Sequence, residues 1–158
     1  MSASFIQKDV RRVFLSGPIT GCSQEQSSNW RQYVRERFSS GIITIDPTRD
    51  SVDSTVVSER ELDEAARLHN LTHGKEILDR NRQDIARCDI VLANFLGAQR
   101  VSIGAVGELF WADIFRKPVI VVREVSHNPH DHGLINAIAF LTLHSLESAI
   151  EKINRFLL

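Results

Sequence analysis

The chain has 158 residues, of which 42% are hydrophobic, and this length fits one domain over residues 1–158 with a sizeable core. The 19 basic and 20 acidic side chains nearly balance, so the chain has no strong net electrostatic field that would attract a nucleic acid polymer or a membrane. No apolar run is long enough to span a bilayer. The two cysteines, Cys22 and Cys88, form neither a metal-binding pair nor a disulfide framework, so we expect the reducing cytoplasm.

The first third of the chain is typical of strand and helix in alternation. The apolar run 12–16 predicts a first strand that ends at the turn Gly17-Pro18. Residues 23–38 carry apolar side chains at helical spacing, and residues 42–45 predict a second strand. The polar, turn-rich stretch 48–58 predicts a long loop, which in a compact domain is usually functional or mobile.

The middle of the chain continues this alternation. Residues 59–71 and 75–87 predict two helices that are separated near Gly74. The apolar run 89–93 predicts a third strand, which a glycine-spaced loop connects to a helix over 105–115.

The last third completes an α/β pattern. Residues 119–122 predict a fourth strand, a histidine-rich loop covers 126–133, and residues 141–143 predict a short last strand. Ser145 is a suitable N-cap for a closing helix through Phe156. Strands that alternate with helices indicate a mostly parallel, doubly wound sheet with helices on both faces.

The most informative stretch, residues 101–111, contains the single carboxylate Glu108. This residue follows Gly104 and Gly107, and we expect it in the first turn of the helix beyond the third strand. Open α/β sheets bind ligands at the carboxyl ends of their strands, so Glu108 could be a nucleophile there. The alternative is an acid that favours the helix start by less than about 1 kcal/mol. Ser102 offers a hydroxyl beside amides that could hold a phosphate.

Two further polar segments should lie at the same edge of the sheet. The turn 16–21 contains glycines, which let backbone N–H groups approach an anion, although such turns are often purely structural. The segment 79–84 contains Asn81 and Asp84 just before the third strand, and its alternative interpretation is an ordinary solvated helix face.

The histidines occur in two clusters that match metal sites only in part. His69 and His73 are four residues apart but lack the glutamate of a zinc-protease motif. His127, His130 and His132 share one loop without an evident distant ligand. We therefore expect no metal site. We interpret the loop 126–133 instead as a lid or a subunit contact, in which a histidine could face a substrate.

Five segments together resemble a known family. They are, in order, Ser-Gly-Pro-Ile-Thr-Gly at 16–21, Asp-Pro-Thr-Arg at 46–49, Asp-Ile-Ala-Arg-Cys-Asp-Ile-Val-Leu-Ala-Asn at 84–94, Ser-Ile-Gly-Ala-Val-Gly-Glu-Leu at 102–109 and Arg-Lys-Pro-Val-Ile at 116–120. This order resembles the nucleoside 2-deoxyribosyltransferase superfamily, which includes the nucleoside 5′-monophosphate N-glycosidases. The resemblance covers nearly the whole chain from Arg12 to Val122. It implies a flavodoxin-like, Rossmann-like sheet of five strands, a homodimer or larger homo-oligomer, and no metal or organic cofactor.

The resemblance also implies roles for individual residues. Glu108 matches the family nucleophile, which attacks the anomeric carbon, expels the base and holds the sugar as an ester until water or a second base accepts it. Ser102 stands where nucleoside-specific relatives usually have an aspartate, and a hydroxyl can donate to a 5′-phosphate that a carboxylate would repel. The implied substrate is thus a (2′-deoxy)nucleoside 5′-monophosphate. The other substrate contacts that the resemblance implies are Gly17, Ile19, Thr20, Gly21, Asn94 and Gly104.

The chain departs from the family pattern before the third strand. The family often has an aspartate eight residues before the acid that opens this strand, and counting back from Asp89 gives Asn81. Asp84 lies one helical turn further on and would face similarly, so either residue could take the second catalytic position. Asn81 cannot serve as a general acid. Because a fold alone does not fix function, two alternatives stay open: a deoxyribosyltransferase for unphosphorylated nucleosides and a non-catalytic nucleotide-binding sensor.

Overall fold

The computed structural model describes residues 10–19, 22–49 and 64–158, and its described part contains one parallel sheet of five strands. The strands are β1 Arg11–Ser16, β2 Ile42–Ile45, β3 Ile90–Asn94, β4 Val119–Val122 and β5 Leu141–Leu143. Every neighbouring pair is parallel, and the strand order is β2-β1-β3-β4-β5. This is the order of flavodoxin-like doubly wound sheets, so the predicted fold class is confirmed.

Helices connect the strands and cover both faces of the sheet. Those in the described residues are α1 Gln24–Arg37, α2 Glu64–Arg87, α3 Ile103–Ile114, α4 Gly133–Ile138 and α5 Leu146–Leu157. Helix α1 begins with a capping box between Ser23 and Gln26, which satisfies two backbone N–H groups. Ser145 caps α5 as predicted. None of the helices in this part of the chain has the length and apolar character needed to cross a bilayer.

Two apolar cores lie on opposite faces of the sheet. On one face α2, α3 and α4 pack through Ile85, Leu109 and Ile135. On the other face α1 and α5 pack through Val34 and Ile153. Because both faces are covered, β4 is apolar at every position and β3 at every position before its last residue, Asn94, which explains the continuous apolar runs in the sequence.

The structure differs from the sequence prediction in two helices, α2 and α3. Helix α2 is continuous through Gly74, where the sequence predicted a break, and residues 59–63 lie outside the described residues. Glycine inside a helix costs only about 1 kcal/mol, which tertiary packing easily offsets. Helix α3 begins at Ile103 with Ser102 as N-cap, two residues before the predicted start. The expected glycine loop is therefore the beginning of a helix.

Candidate active site

Glu108 is a buried carboxylate at the carboxyl end of the sheet. Its side chain belongs to the second turn of α3, and the residue is 6% exposed. The hydroxyl of Ser16, at the end of β1, donates a hydrogen bond to Oε2 over 2.6 Å. The amide Nδ2 of Asn81, in α2, donates to Oε1 over 3.0 Å. The expected first-turn position is wrong, and a solvated acid at the helix start does not describe this buried, doubly bonded carboxylate.

The environment of Glu108 changes its acidity. Burial raises the pKa of Glu108 from 4.5 to about 7, against the opposing effects of the Ser16 hydrogen bond, the positive charge of Arg31 and the Asn81 hydrogen bond. Strongly shifted pKa values of this kind are typical of functional sites. A carboxylate with these properties is ionised in slightly alkaline solution and has both oxygens oriented by donors.

Gly17 allows the turn after β1 to lie against the end of β3. A Cβ atom at this position would lie 2.8 Å from the carbonyl oxygen of Asn94 and 3.1 Å from Cζ2 of Trp30. Any other residue would therefore push β1 away from β3 beside the site. Asn94 itself is buried, and its Oδ1 accepts a hydrogen bond from the N–H of Leu96 over 3.2 Å. Ile19 is exposed at this edge, whereas the predicted contacts 20 and 21 lie outside the described residues.

A buried arginine, Arg31, lies behind this turn. Its Nη1 donates to the carbonyl of Ser27, and its Nη2 donates to the carbonyl of Gly17 over 3.3 Å. Its Nε lies 3.5 Å from Oδ1 of Asp46, and its guanidinium carbon lies 4.5 Å from the centroid of the Trp30 ring. The sequence analysis missed Arg31. The sequence does contain a signal for this residue: Arg31 follows Trp30 directly and lies three residues before the apolar Val34, on the inner side of α1.

Asn81 and Asp84 have different partners, although they are one helical turn apart. Asn81 contacts Glu108, whereas Asp84 forms an ion pair with Arg49. Arg80, which also lies in α2, donates a hydrogen bond to the carbonyl oxygen of Arg49 over 3.2 Å. Asn81 therefore belongs to the immediate surroundings of Glu108, and Asp84 fastens the segment after β2 to α2.

Ser102 forms the N-cap of α3 together with a buried histidine. Its Oγ accepts a hydrogen bond from the N–H of Ala105 over 3.4 Å. Its own N–H donates to Nε2 of His130 over 2.9 Å. His130 is fully buried and stacks on Phe95 at 3.8 Å between ring centroids, and burial lowers its pKa. His130 thus holds the amino end of α3 from inside the fold, whereas we expected that a histidine of this loop could face a substrate.

The other histidines and glycines of the predicted site have simpler surroundings. His132 caps α4 by accepting a hydrogen bond from the N–H of Leu134 over 3.2 Å. Among residues 10–19, 22–49 and 64–158, no group of three or more His, Cys, Asp or Glu side chains is arranged to hold a metal ion. Cβ atoms at Gly104 and Gly107 would meet no other atom within 4 Å, so the backbone of the first turns of α3 is open to approach.

Sequence comparison relates the chain to one family. The family model described as "Nucleoside 2-deoxyribosyltransferase like" matches residues 10–125, which include every element from β1 to β4. Comparison with curated proteins gives no match.

Comparison of structures identifies similar folds at low sequence identity. A conserved protein from Enterococcus faecalis V583 has a TM-score of 0.58 at 15% identity, over 92% of this chain and 98% of that one. The CMP N-glycosidase BcmB of Clostridium botulinum has a TM-score of 0.53 at 16% identity, over 92% and 99% of the two chains. The 2-desoxiribosyltransferase of Leishmania mexicana has a TM-score of 0.52 at 15% identity, over 74% and 67%. At these identities the similarity concerns the fold.

The burial of Glu108 predicts a specific effect of pH on stability. The folded protein holds the Glu108 proton more tightly than the unfolded chain does. Protonation therefore stabilises the fold fully below pH 4.5, and this contribution is lost as the pH rises through about 7. Glu108→Gln removes the charge and keeps the shape. We expect its free energy of unfolding to exceed that of the unaltered protein by up to about 3 kcal/mol at pH 8, and by much less at pH 5.

Urea unfolding at both pH values measures this difference. Glu151→Gln, at an exposed α5 residue that pairs with Arg155, is the matched control and should show no pH-dependent gain. Equal stability of Glu108→Gln and the unaltered protein at pH 8 would contradict a buried, ionisable Glu108.

Proposed function

Because the chain belongs to the nucleoside 2-deoxyribosyltransferase-like family, whose enzymes act at N-glycosidic bonds, we propose that it cleaves (2′-deoxy)nucleoside 5′-monophosphates through a covalent glycosyl ester on Glu108. One observation carries this proposal: the buried Glu108 carboxylate, oriented by Ser16 and Asn81 at the carboxyl end of the sheet. A free base is the first product, and the sugar passes to water or to another base.

The proposed reaction has two steps. In the first, an oxygen of Glu108 attacks C1′ while the C1′–N bond breaks, so the electron pair of that bond leaves with the base, which takes up a proton from solvent. The transition state has oxocarbenium character, which the adjacent carboxylate stabilises. In the second step water attacks C1′ while the C1′–O bond to Glu108 breaks and returns its electron pair to the carboxylate. The water oxygen stays on the sugar, and the proton that the water releases balances the one taken by the base. A base in place of water gives transfer.

Ser16 and Asn81 would position the nucleophile. Each donates to a different carboxylate oxygen, so the plane of the Glu108 carboxyl group is fixed before a substrate arrives. Preorganisation of this kind lowers the entropic cost of reaching the reactive geometry. Asn81 takes the second catalytic position in this proposal, and Asp84 acts on the site indirectly, through Arg49.

The amino end of α3 supports a phosphorylated substrate. Ser102 caps this helix, six residues before Glu108, and helix amino ends favour anions. Because the N–H of Ser102 donates to His130, the proposed phosphate contact is the Ser102 hydroxyl, with the open backbone at Gly104 beside it. One structural neighbour is a CMP N-glycosidase, and CMP is a nucleoside monophosphate, which agrees with this proposal. Gly17, Ile19 and the adjoining residues 20 and 21, together with Asn94, complete the proposed contacts.

We further propose that the chain forms a homodimer or larger homo-oligomer in the cytoplasm. The outward side of α3 carries a stripe of exposed apolar side chains, Ile103, Phe110 and Ile114, with Ile103 86% exposed. An apolar groove of about 230 Å³ runs beside it, lined in part by Val106 and Leu134. Exposed apolar surface of this kind supports an interface between subunits. Both cysteines are free, which fits a reducing compartment.

Removal of the proposed nucleophile tests the reaction. We expect Glu108→Ala and Glu108→Gln to lower base release by at least about 10³-fold, because no other carboxylate in the described part of the chain hydrogen-bonds Ser16 and Asn81. Chromatography of free base measures the rate, with Glu151→Gln as the control that keeps full activity. Mass spectrometry of the quenched reaction should find the sugar on the peptide that contains Glu108. Full turnover by Glu108→Ala would contradict the mechanism, and nucleotide binding without base release would favour the sensor alternative.

A single substitution tests the preference for phosphate. Aspartate is as good an N-cap as serine, so Ser102→Asp keeps the start of α3 and adds a negative charge. We expect the ratio of kcat/KM for deoxynucleoside monophosphates to that for the matching nucleosides to fall at least about tenfold, because the carboxylate repels the phosphate. Ser145→Asp makes the same change at the N-cap of α5 and should leave the ratio unchanged. An unchanged ratio in Ser102→Asp, or faster turnover of nucleosides by the unaltered enzyme, would favour the unphosphorylated substrates.

The apolar stripe on α3 gives a prediction for assembly. We expect the unaltered protein to be a dimer or larger oligomer, and the double variant Ile103→Glu, Ile114→Glu to be a monomer, because two charges cannot be buried in an apolar interface without partners. Light scattering coupled to size-exclusion chromatography measures the mass. Val125→Glu, at an exposed apolar residue outside the stripe, is the control that keeps the assembly. A monomeric unaltered protein would contradict the proposal.

A further inference from the structure

Arg31 is the largest fully buried side chain in the described part of the chain, and its guanidinium group is fixed on several sides. It donates to the carbonyls of Ser27 and Gly17, faces Asp46 through Nε and stacks on Trp30. An arginine stays charged even when buried, and its removal from water is costly. A buried charge that is held this firmly places a permanent positive field inside the fold.

This field reaches Glu108. Arg31 bonds to the carbonyl of Gly17, and the preceding residue, Ser16, donates its hydroxyl to the Glu108 carboxylate. The two charges act on each other: Arg31 lowers the pKa of Glu108, and Glu108 raises that of Arg31, while burial has the opposite effect on each. Arg31 thus favours the ionised form of a carboxyl group that its burial would otherwise keep protonated.

Within the described residues, few other charged groups surround this pair. Asp46 lies beside Nε of Arg31 and also contacts Arg35, which is exposed on α1. Cys22 acts on Arg31 as well, by raising its pKa. From α2 the uncharged Asn81 faces Glu108, while Asp84 is paired with an arginine. The strands β3 and β4 and helix α4 contain no charged residue. Among the side chains that the structure describes, Arg31 is therefore the cation that acts on the Glu108 carboxylate.

We propose that Arg31 is a positioning residue for the reaction at Glu108: its buried charge favours the ionised form of the nucleophile, and its hydrogen bond holds the Gly17 turn beside the nucleophile. The role in the reaction rests on the proposed function, whereas the electrostatic coupling of the two side chains stands independently of it. Asp46 opposes this effect, because its carboxylate neutralises part of the guanidinium charge.

Substitutions on the two sides of the ion pair should act in opposite directions. Arg31→Met keeps the apolar stem and removes the charge, so we expect the pKa of Glu108 to rise by about one unit or more, and Arg31→Lys to shift it less. Asp46→Asn keeps an oxygen acceptor and leaves Arg31 uncompensated, so the pKa of Glu108 should fall. Arg35→Met removes the exposed partner of Asp46 and should leave it unchanged.

Two measurements separate this proposal from the proposed function. A 13C NMR titration of labelled glutamate carboxyl groups, assigned by the signal lost in Glu108→Gln, gives the Glu108 pKa without any turnover. The acid limb of kcat/KM against pH should move in parallel, since the titration of the substrate is common to all variants. If Arg31→Met does not fold, the pKa of Glu108 in Arg31→Lys and in Asp46→Asn tests the proposal. A Glu108 resonance that titrates identically in all folded variants overturns the proposal. The expected NMR shifts without base release would instead overturn only the proposed function.

Discussion

The site depends on one constraint: a carboxylate that is removed from water must nevertheless be able to carry its charge. Burial of Glu108 raises its pKa to about 7, and each of its polar neighbours acts in the opposite direction. Ser16 and Asn81 supply hydrogen bonds, and Arg31 supplies charge. Together these contributions offset the loss of hydration only in part, although they come from donors on several elements at once.

The doubly wound topology brings these donors together. Ser16 ends β1, Asn81 lies in α2 and Glu108 in α3, so residues that are 92 and 27 positions from Glu108 meet its two oxygens. Helices α1 and α3 follow the adjacent strands β1 and β3 on opposite faces of the sheet. The ends of these two strands are therefore the topological switch point, where open α/β sheets bind their ligands. The absence of a side chain at Gly17 then lets the β1 turn close against β3.

The sequence predicted the scaffold better than the contacts. Buried strands can be predicted from the sequence because both of their faces pack against apolar residues. The cap at Ser145 can be predicted because serine at the start of a helix is a local sequence pattern. The start of α3 was placed too late, because Gly104 and Gly107 are typical of loops while Ser102 already caps the helix. Arg31 was missed because Gly17 and Asp46, two of its partners, lie on other elements, so the local pattern shows only its place on the inner side of α1.

The contacts of Asn81 and Asp84 show why an uncharged residue next to Glu108 suits a carboxylate that must carry its charge while buried. Three residues apart on a helix, the two side chains point in similar directions, and only a long-range partner, Arg49, directs Asp84 elsewhere. An amide next to Glu108 donates a hydrogen bond without adding charge, whereas an ionised aspartate there would raise the pKa of Glu108 further. With asparagine at this position and Arg31 behind the β1 turn, the polar neighbours of Glu108 lower its pKa against the larger, opposite effect of burial. These neighbours keep the ionised form of a buried carboxyl group within reach, and the attack on C1′ in the proposed reaction requires that form.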